Sequence, residues 1–187
     1  MYKVDDVVVF RRNVCRVVGR EISDMTGEDC YVLEPYHRIE GSMVMKVPVS
    51  NKAGHLRDVM SKDEIDALIG RFSKIPALAD KPANMKSQYV TLLKGNKVDD
   101  LLCIMKTSFL RNQARRMNNK KVAAIDGEYL MKAEKYLFNE ISVALKIPYE
   151  QSKEYFMNGI NKMWVGEVYQ LYDILFLCMD NSLKKNL

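Results

Sequence analysis

The side chains of this chain that could do chemistry are mainly cationic, and they are concentrated in one stretch. Residues 81–121 contain ten lysines and arginines opposed only by Asp99 and Asp100, a net charge of +8. The ten are Lys81, Lys86, Lys94, Lys97, Lys106, Arg111, Arg115, Arg116, Lys120 and Lys121. Such a local excess of positive charge is typical of a surface that binds a polyanion such as nucleic acid. A basic face that is merely solvated explains the same charges, and the two interpretations stay open.

Motifs that would indicate catalysis or metal binding are absent from the sequence. It has no GxSxG, GxxxxGK[ST], HExxH or GxGxxG pattern, and its two histidines are too few for a histidine metal site. Cys103 and His55 could form a nucleophile and its base, but a buried thiol is the simpler interpretation of a cysteine in an apolar stretch. A hydrolase or transferase would need converging polar groups that the sequence does not show. We therefore predict a protein that is not an enzyme, with no metal, no cofactor and no small-molecule substrate.

A long helix is predicted to carry much of the basic stretch. Its apolar residues fall at i, i+3, i+4, i+7 and i+11, which is one face of an α-helix. These residues are Val98, Leu101, Leu102, Met105 and Phe109. Arg111 and Arg115 are four residues apart, so they lie together on a different face. Asn118-Asn119 breaks the pattern.

Before about residue 60 the apolar pattern has the two-residue period of β-strands. Strands are predicted at 7–10, 14–18, 30–33 and 42–47, with turns at Asn13, Thr26-Gly27 and Glu40-Gly41. Pro48 ends the last of these strands, because proline cannot donate to a ladder. Four or five short strands at this spacing predict a small antiparallel β-barrel or a strongly bent sheet. This part of the chain is neutral, with nine basic and nine acidic residues.

After residue 60 the period becomes helical. Ser61 and Glu64 fit a capping box, and an apolar stripe follows at Ile65, Leu68, Ile69 and Phe72. Further helices are predicted at 85–93, stopped at Gly95, at 126–146, and, beyond Pro148, at 149–158 and 161–182, where Trp164 begins another stripe. The sequence therefore predicts an α+β fold, with a β domain in residues 1–60 and an all-α domain in residues 61–187.

Several short motifs have the order and spacing found in a known family. They are Tyr2-Lys3-Val4-Asp5-Asp6-Val7-Val8-Val9-Phe10, Tyr31-Val32-Leu33-Glu34-Pro35, Met45-Lys46-Val47-Pro48, Leu56-Arg57-Asp58-Val59, Pro82-Ala83-Asn84-Met85 and Leu110-Arg111-Asn112-Gln113-Ala114-Arg115. Over roughly residues 1–158 the chain resembles the CarD family of bacterial transcription regulators. That family shares its N-terminal module, which binds RNA polymerase, with transcription-repair coupling factors.

The resemblance implies a Tudor-like β domain that binds the RNA polymerase β subunit by strand addition, with contacts from Lys46, Val47 and Pro48. It also implies that the helical domain touches promoter DNA upstream of the melted region and modulates the stability of the open complex. The residues assigned to DNA are Asn84, Met85, Lys86, Lys106, Arg111, Arg115 and Arg116. Met85 aligns with the tryptophan that the family wedges beside the minor groove, so we expect its side chain to be exposed. A methionine that covers the helix at residues 65–72 is the competing interpretation, and it stays open.

The chain also departs from the family. Asp5 stands where the first strand has glycine, residues 11–14 replace a Pro-x-His-Gly turn, and Asp126-Gly127-Glu128 replaces basic residues that open a helix. These departures favour an alternative function: a protein–protein adaptor that binds polymerase through its β domain and another protein through its helices. The acidic start and the lack of a long apolar run predict a cytoplasmic protein with no membrane partner.

Overall fold

An open, five-stranded antiparallel sheet forms the N-terminal part of the chain. The computed structural model describes residues 1–37, 43–79 and 82–163. Its strands are β1 (Val7–Phe10), β2 (Asn13–Ile22), β3 (Asp29–Pro35), β4 (Met45–Pro48) and β5 (Leu56–Asp58), in the order β4-β3-β2-β1-β5. The predicted antiparallel sheet is confirmed, but it is not closed into a barrel. The predicted strand at 42–47 begins only at Met45, and the predicted turn at Glu40-Gly41 lies outside the described residues.

The turn between β1 and β2 has an unusual backbone. Phe10 pairs with Asn13, which leaves Arg11 and Arg12 as the central residues, with φ angles of 46° and 75°. Positive φ at both positions is the type I′ hairpin turn, which usually contains Asn-Gly. A side chain in this region costs on the order of 1 kcal/mol relative to a right-handed backbone. The prediction that Asn13 forms the turn is therefore wrong: Asn13 is the first residue of β2.

The two faces of the sheet have different neighbours. One face forms a small apolar core of its own, consisting of Val8, Cys15, Val17, Tyr31, Leu33, Val47 and Leu56. On the other face Val9 pairs with both Val14 and Arg57, so these three side chains share one surface. Val9 and Val14 are buried, and Arg57 reaches a helix. The second face of the sheet therefore carries the junction with the helical part.

In the described part of the chain, five α-helices follow the sheet. They are α1 (Lys62–Arg71), α2 (Met85–Lys94), α3 (Val98–Met117), α4 (Ala124–Leu145) and α5 (Tyr149–Met163), with short 3₁₀ turns at Phe72–Lys74 and Pro82–Asn84. The four helices predicted between residues 61 and 146 are confirmed to within a few residues, and the helix predicted at 149–158 continues to Met163. Most of the helix predicted at 161–182, including Trp164, lies outside the described residues. None of the described helices is long and apolar enough to cross a membrane.

Hydrogen bonds at the helix ends explain where the helices begin and stop. The predicted capping box is confirmed: Glu64 N donates to Ser61 Oγ at 3.3 Å, and Ser61 N donates to the Glu64 carboxylate at 2.7 Å. The helix α4 ends in a Schellman motif, in which Ile147 N donates to Ser142 O at 3.0 Å. Lys146 occupies the left-handed position of this motif, with φ 56°. Glycine is the usual residue there, because it has no Cβ.

Replacing Lys146 with glycine is therefore expected to stabilise the protein. The gain should be about 0.5–1 kcal/mol in the free energy of unfolding, because the left-handed strain is removed and part of the benefit is offset by chain entropy. Urea unfolding of the purified chain measures the change. The matched control is Lys135→Gly in the middle of α4, where Lys135 is also exposed; it should destabilise by about 1 kcal/mol. Equal effects at both positions would contradict this interpretation.

Candidate functional site

The strand β4 lies at one edge of the sheet and carries the three residues predicted to bind polymerase. Val49 N donates to Asp29 O at 2.9 Å, which makes positions 29 and 49 a hydrogen-bonded pair. Because such pairs alternate in an antiparallel ladder, the backbone groups of Lys46 and Pro48 point away from β3. Pro48 is therefore tolerated, since the donor that it lacks would face outward. In the described part of the chain no strand pairs with this outer edge.

The side chains of β4 divide between the edge and the core. The Lys46 ammonium is half exposed and lies 2.5 Å from the Glu21 carboxylate of β2. This hydrogen bond raises the pKa of Lys46, so the group stays protonated. Val47 is 4% exposed and packs in the core of the sheet, so its side chain is not presented to a partner. Met43 and Val44, just before β4, are exposed apolar side chains beside the same edge.

Two of the cations predicted to contact DNA are used inside the helical part. Lys106 Nζ donates to the carbonyls of Ser73 at 2.7 Å and Ile75 at 2.8 Å. Arg111 Nε donates to both carboxylate oxygens of Asp126, each at 3.1 Å, and the Arg111 side chain is only 10% exposed. Such buried contacts hold helices and loops together. The geometry does not present either cation to a phosphate.

The partner of Arg111 is the centre of a buried polar network. Asp126 is fully buried at the start of α4, and Tyr89 of α2 donates its hydroxyl to Asp126 Oδ1 at 2.9 Å. Burial raises the pKa of Tyr89, so the hydroxyl keeps the proton that it donates. Ser108 of α3 donates in turn to the Tyr89 oxygen at 3.3 Å. Asp126 is thus the buried partner of Arg111, one of the cations predicted to contact DNA.

The expectation that Met85 is exposed is wrong. It is the first residue of α2, as predicted, but only 1% of it is accessible to solvent. Met85 and Tyr89 are four residues apart, so they share the face of α2 that packs on the helical core. The neighbouring Asn84 and Lys86 are exposed. The spacing of Met85 and Tyr89 was the sequence signal that could have shown this burial.

Four other cations of the stretch form a compact group where α3 ends. We call residues 115–121 the basic turn; it contains Arg115, Arg116, Lys120 and Lys121. A second Schellman motif shapes it, since Lys120 N donates to Arg115 O at 2.8 Å around Asn119, which has φ 53°. Arg115 Nε also donates to Lys121 O at 2.7 Å. The negative end of the helix dipole stabilises cations at this position even when no ligand is bound.

The ten basic residues of the stretch therefore do not form one surface. Lys94 and Lys97 flank the turn before α3, whereas the basic turn lies at the other end of this helix, a separation of about 30 Å along 20 residues. Lys81 lies outside the described residues. Exposed cations therefore remain at Lys86, Lys94 and Lys97 as well, and the basic turn is the densest group of cations along the chain.

The described residues also bear on catalytic chemistry. Cys103 is buried in α3, and burial raises the pKa of its thiol, which weakens it as a nucleophile. Burial likewise raises the pKa of Cys15 to about 11.

Among the described residues, no group of three or more His, Cys, Asp or Glu side chains could hold a metal ion. A crevice of about 650 Å³ between Tyr36, His37 and the end of α4 has mainly apolar walls.

No protein-family model matches this chain, and no curated protein is significantly similar to it.

The burial of Met85 leads to a clear expectation for its removal. Met85→Ala should lower the free energy of unfolding by about 2–5 kcal/mol, because it leaves a cavity in the helical core. Chemical denaturation followed by far-UV circular dichroism measures this loss. The matched control is Met117→Ala at the end of α3, since Met117 is 76% exposed; it should change the stability by less than about 0.5 kcal/mol. A small effect of Met85→Ala would mean that the side chain is not in the core.

Proposed function

We propose that this chain is a cytoplasmic transcription regulator that binds the β subunit of RNA polymerase and touches promoter DNA, thereby modulating the stability of the open complex. The observation that carries the proposal is the outer edge of β4, with which no described strand pairs and which holds the Met45-Lys46-Val47-Pro48 motif of the CarD-like stretch. A strand of the polymerase would pair with this edge. The order of the family-like motifs along the chain supports the choice of partner.

The edge of β4 has the properties that strand addition requires. The amide and carbonyl of Lys46 point outward and are the groups that a new strand would bond. The exposed Val44 and Met43 offer apolar contact beside them, and the Lys46 ammonium supplies charge. Main-chain bonds would provide affinity, and these side chains would provide selectivity.

The proposed contact with DNA is electrostatic. The basic turn offers four cations within seven residues, held by a Schellman motif and by the bond from Arg115 to Lys121 O. Flexible lysines and arginines of this kind bind phosphates with little dependence on base sequence. Because Met85 is buried, it supplies no wedge in this proposal. Any effect on the melted region would come from holding the upstream duplex against the polymerase.

A protein–protein adaptor is the second candidate, and two observations favour it. The first is that Lys106 and Arg111, which the family likeness assigns to DNA, are bound inside the fold. The second is an apolar strip beside the basic turn: Leu110 and Met117, seven residues apart on α3, are 42% and 76% exposed. Apolar side chains next to cations would suit an acidic amphipathic helix of a partner protein.

Reversing the charge at the edge of β4 tests the polymerase contact. Lys46→Glu in the full chain should weaken binding to the isolated polymerase β subunit roughly tenfold, because it places a carboxylate where the ammonium meets the partner. The control is Lys52→Glu, which makes the same charge change at another exposed position, between β4 and β5. Calorimetric titration gives both dissociation constants. If Lys46→Glu binds like the unaltered chain, the assignment of the contact to this edge is wrong; if the unaltered chain does not bind the β subunit, the proposed partner is wrong.

Salt dependence tests the contact with DNA. If the basic turn neutralises about four phosphates, log affinity should fall with log salt at a slope near −3.6, about a hundredfold between 50 and 200 mM. The double variant Lys120→Glu/Lys121→Glu should make the slope shallower by roughly half. The control, Lys94→Glu/Lys97→Glu, makes the same charge change at the other end of α3 and should retain the slope. Fluorescence anisotropy with a promoter fork measures each slope; a salt-independent titration would favour the adaptor.

A further inference from the structure

Two arginines of the sheet connect it to the helices at different points. Arg12 projects from the β1–β2 turn and is 3% exposed, and Arg57 projects from β5 with a side chain that is 23% exposed. Neither residue belongs to the edge of β4 or to the basic turn. Each of them joins a strand or turn of the sheet to the helical part.

Arg12 binds the connection between α2 and α3. Its Nη1 donates to Lys97 O at 2.6 Å, and its Nη2 donates to Leu92 O at 3.1 Å and to Asp100 Oδ2 at 3.2 Å. Leu92 is in the last turn of α2, where the carbonyls carry the negative end of the helix dipole. Asp100 is in the first turn of α3. One guanidinium therefore ties the end of one helix to the beginning of the next.

The α2–α3 connection is shaped around this contact. A Cβ atom at Gly95 would lie 2.5 Å from Asp100 Oδ2, so a side chain there would displace the carboxylate that Arg12 binds. On the side of the sheet, Arg12 itself holds a left-handed backbone with φ 75°, where glycine would be free of strain. Arg12 thus has a backbone conformation that its turn would usually give to glycine or asparagine, and Gly95 leaves room for the carboxylate that Arg12 binds.

Arg57 binds a different helix. Its Nη1 and Nη2 meet the two carboxylate oxygens of Glu140 at 2.5 and 2.7 Å, and Met60 N donates to Glu140 Oε1 at 3.1 Å. Glu140 is in α4 and is 1% exposed. A bidentate pair of this kind fixes orientation as well as distance. The two arginines join the sheet to the α2–α3 connection and to α4, and Asn96 Nδ2 adds a bond from that connection to the Gly54 carbonyl, so contacts at separate points oppose rotation.

We propose that Arg12 and Arg57 are positioning residues, which hold the edge of β4 and the basic turn in one fixed geometry so that polymerase and DNA are bound at the same time. This inference rests on the proposed function. A fixed geometry presents the second surface at a high effective concentration once the first is bound. It also avoids the entropy that would be lost if the two parts had to be ordered on binding.

The first experiment measures the geometry and needs no partner. Spin labels are placed on cysteines introduced at the exposed positions Glu28 and Lys120, in a chain in which Cys178 is replaced by serine; Cys15, Cys30 and Cys103 are buried. Pulsed electron resonance should give one narrow distance distribution for the otherwise unaltered chain and a broad one for Arg12→Ala. The control is Arg11→Ala. Arg11 is the adjacent residue with a left-handed backbone, but its side chain is exposed and its guanidinium lies over the Phe10 ring. This variant should keep the narrow distribution.

The second experiment measures binding in three titrations: polymerase alone, a promoter fork alone, and polymerase assembled on the fork. Arg12→Ala should leave the first two dissociation constants unchanged and weaken the third about tenfold. Arg11→Ala should change none of them. A positioning role predicts this split, whereas a direct contact of Arg12 with either partner would change a single-partner titration.

The outcomes separate the inference from the proposed function. If the distribution stays narrow in Arg12→Ala, or if Arg11→Ala broadens it equally, the positioning role is wrong whatever the chain binds. If the unaltered chain binds neither polymerase nor the fork, the proposed function fails, and the distance measurement still decides whether the two arginines fix the geometry. Should circular dichroism show that Arg12→Ala is unfolded, Glu140→Gln, which weakens the second contact with little change of shape, takes its place in both experiments.

Discussion

A buried guanidinium must be neutralised and hydrogen-bonded, and this constraint organises the junction between the sheet and the helices. Taking such a charge out of water is very unfavourable unless its partners are in place. The buried Arg12 meets two carbonyls and the Asp100 carboxylate, and the partly exposed Arg57 meets both oxygens of Glu140, while the Nε of each has no hydrogen-bond partner among the described residues. Burial lowers the pKa of Arg12, and the charge of the Asp100 carboxylate opposes this shift. The positions of the β1–β2 turn, of Gly95 and of α4 all follow from these requirements.

The same rule decides which cations of the basic stretch reach the surface. Asp126, buried at the start of α4, fixes Arg111, and two loop carbonyls fix Lys106. A charge count along the sequence treats these side chains like Lys120 and Lys121, which are exposed. The count therefore overstates the surface that a polyanion could use. The difference depends on contacts between residues 15 to 33 positions apart, which local spacing does not reveal.

Local patterns predicted the elements of the fold well, because they are set by local physics. The capping box at Ser61, the stop at Gly95 and the end of α3 at Asn118-Asn119 depend on hydrogen bonds within a few residues of the helix ends. Two predictions failed where tertiary contacts dominate. The centre of the β1–β2 turn consists of two arginines with left-handed backbones, and the side chain of Arg12 is bound by helices distant in sequence. Met85 is buried in a core that forms only when the helices pack together.

Pro48 has a consequence for self-association. An open sheet edge can pair with the same edge of another molecule and so begin an ordered aggregate. On β4 the outward-facing donor at position 48 is missing, and the one at position 46 carries a lysine, which would face another lysine near a two-fold axis. Two paired copies of this edge would lose a ladder hydrogen bond at Pro48 and would bring two lysines together. A strand of another protein that carries an acidic residue would lose the hydrogen bond but would attract Lys46. The edge therefore disfavours pairing with its own copies more than pairing with such a strand.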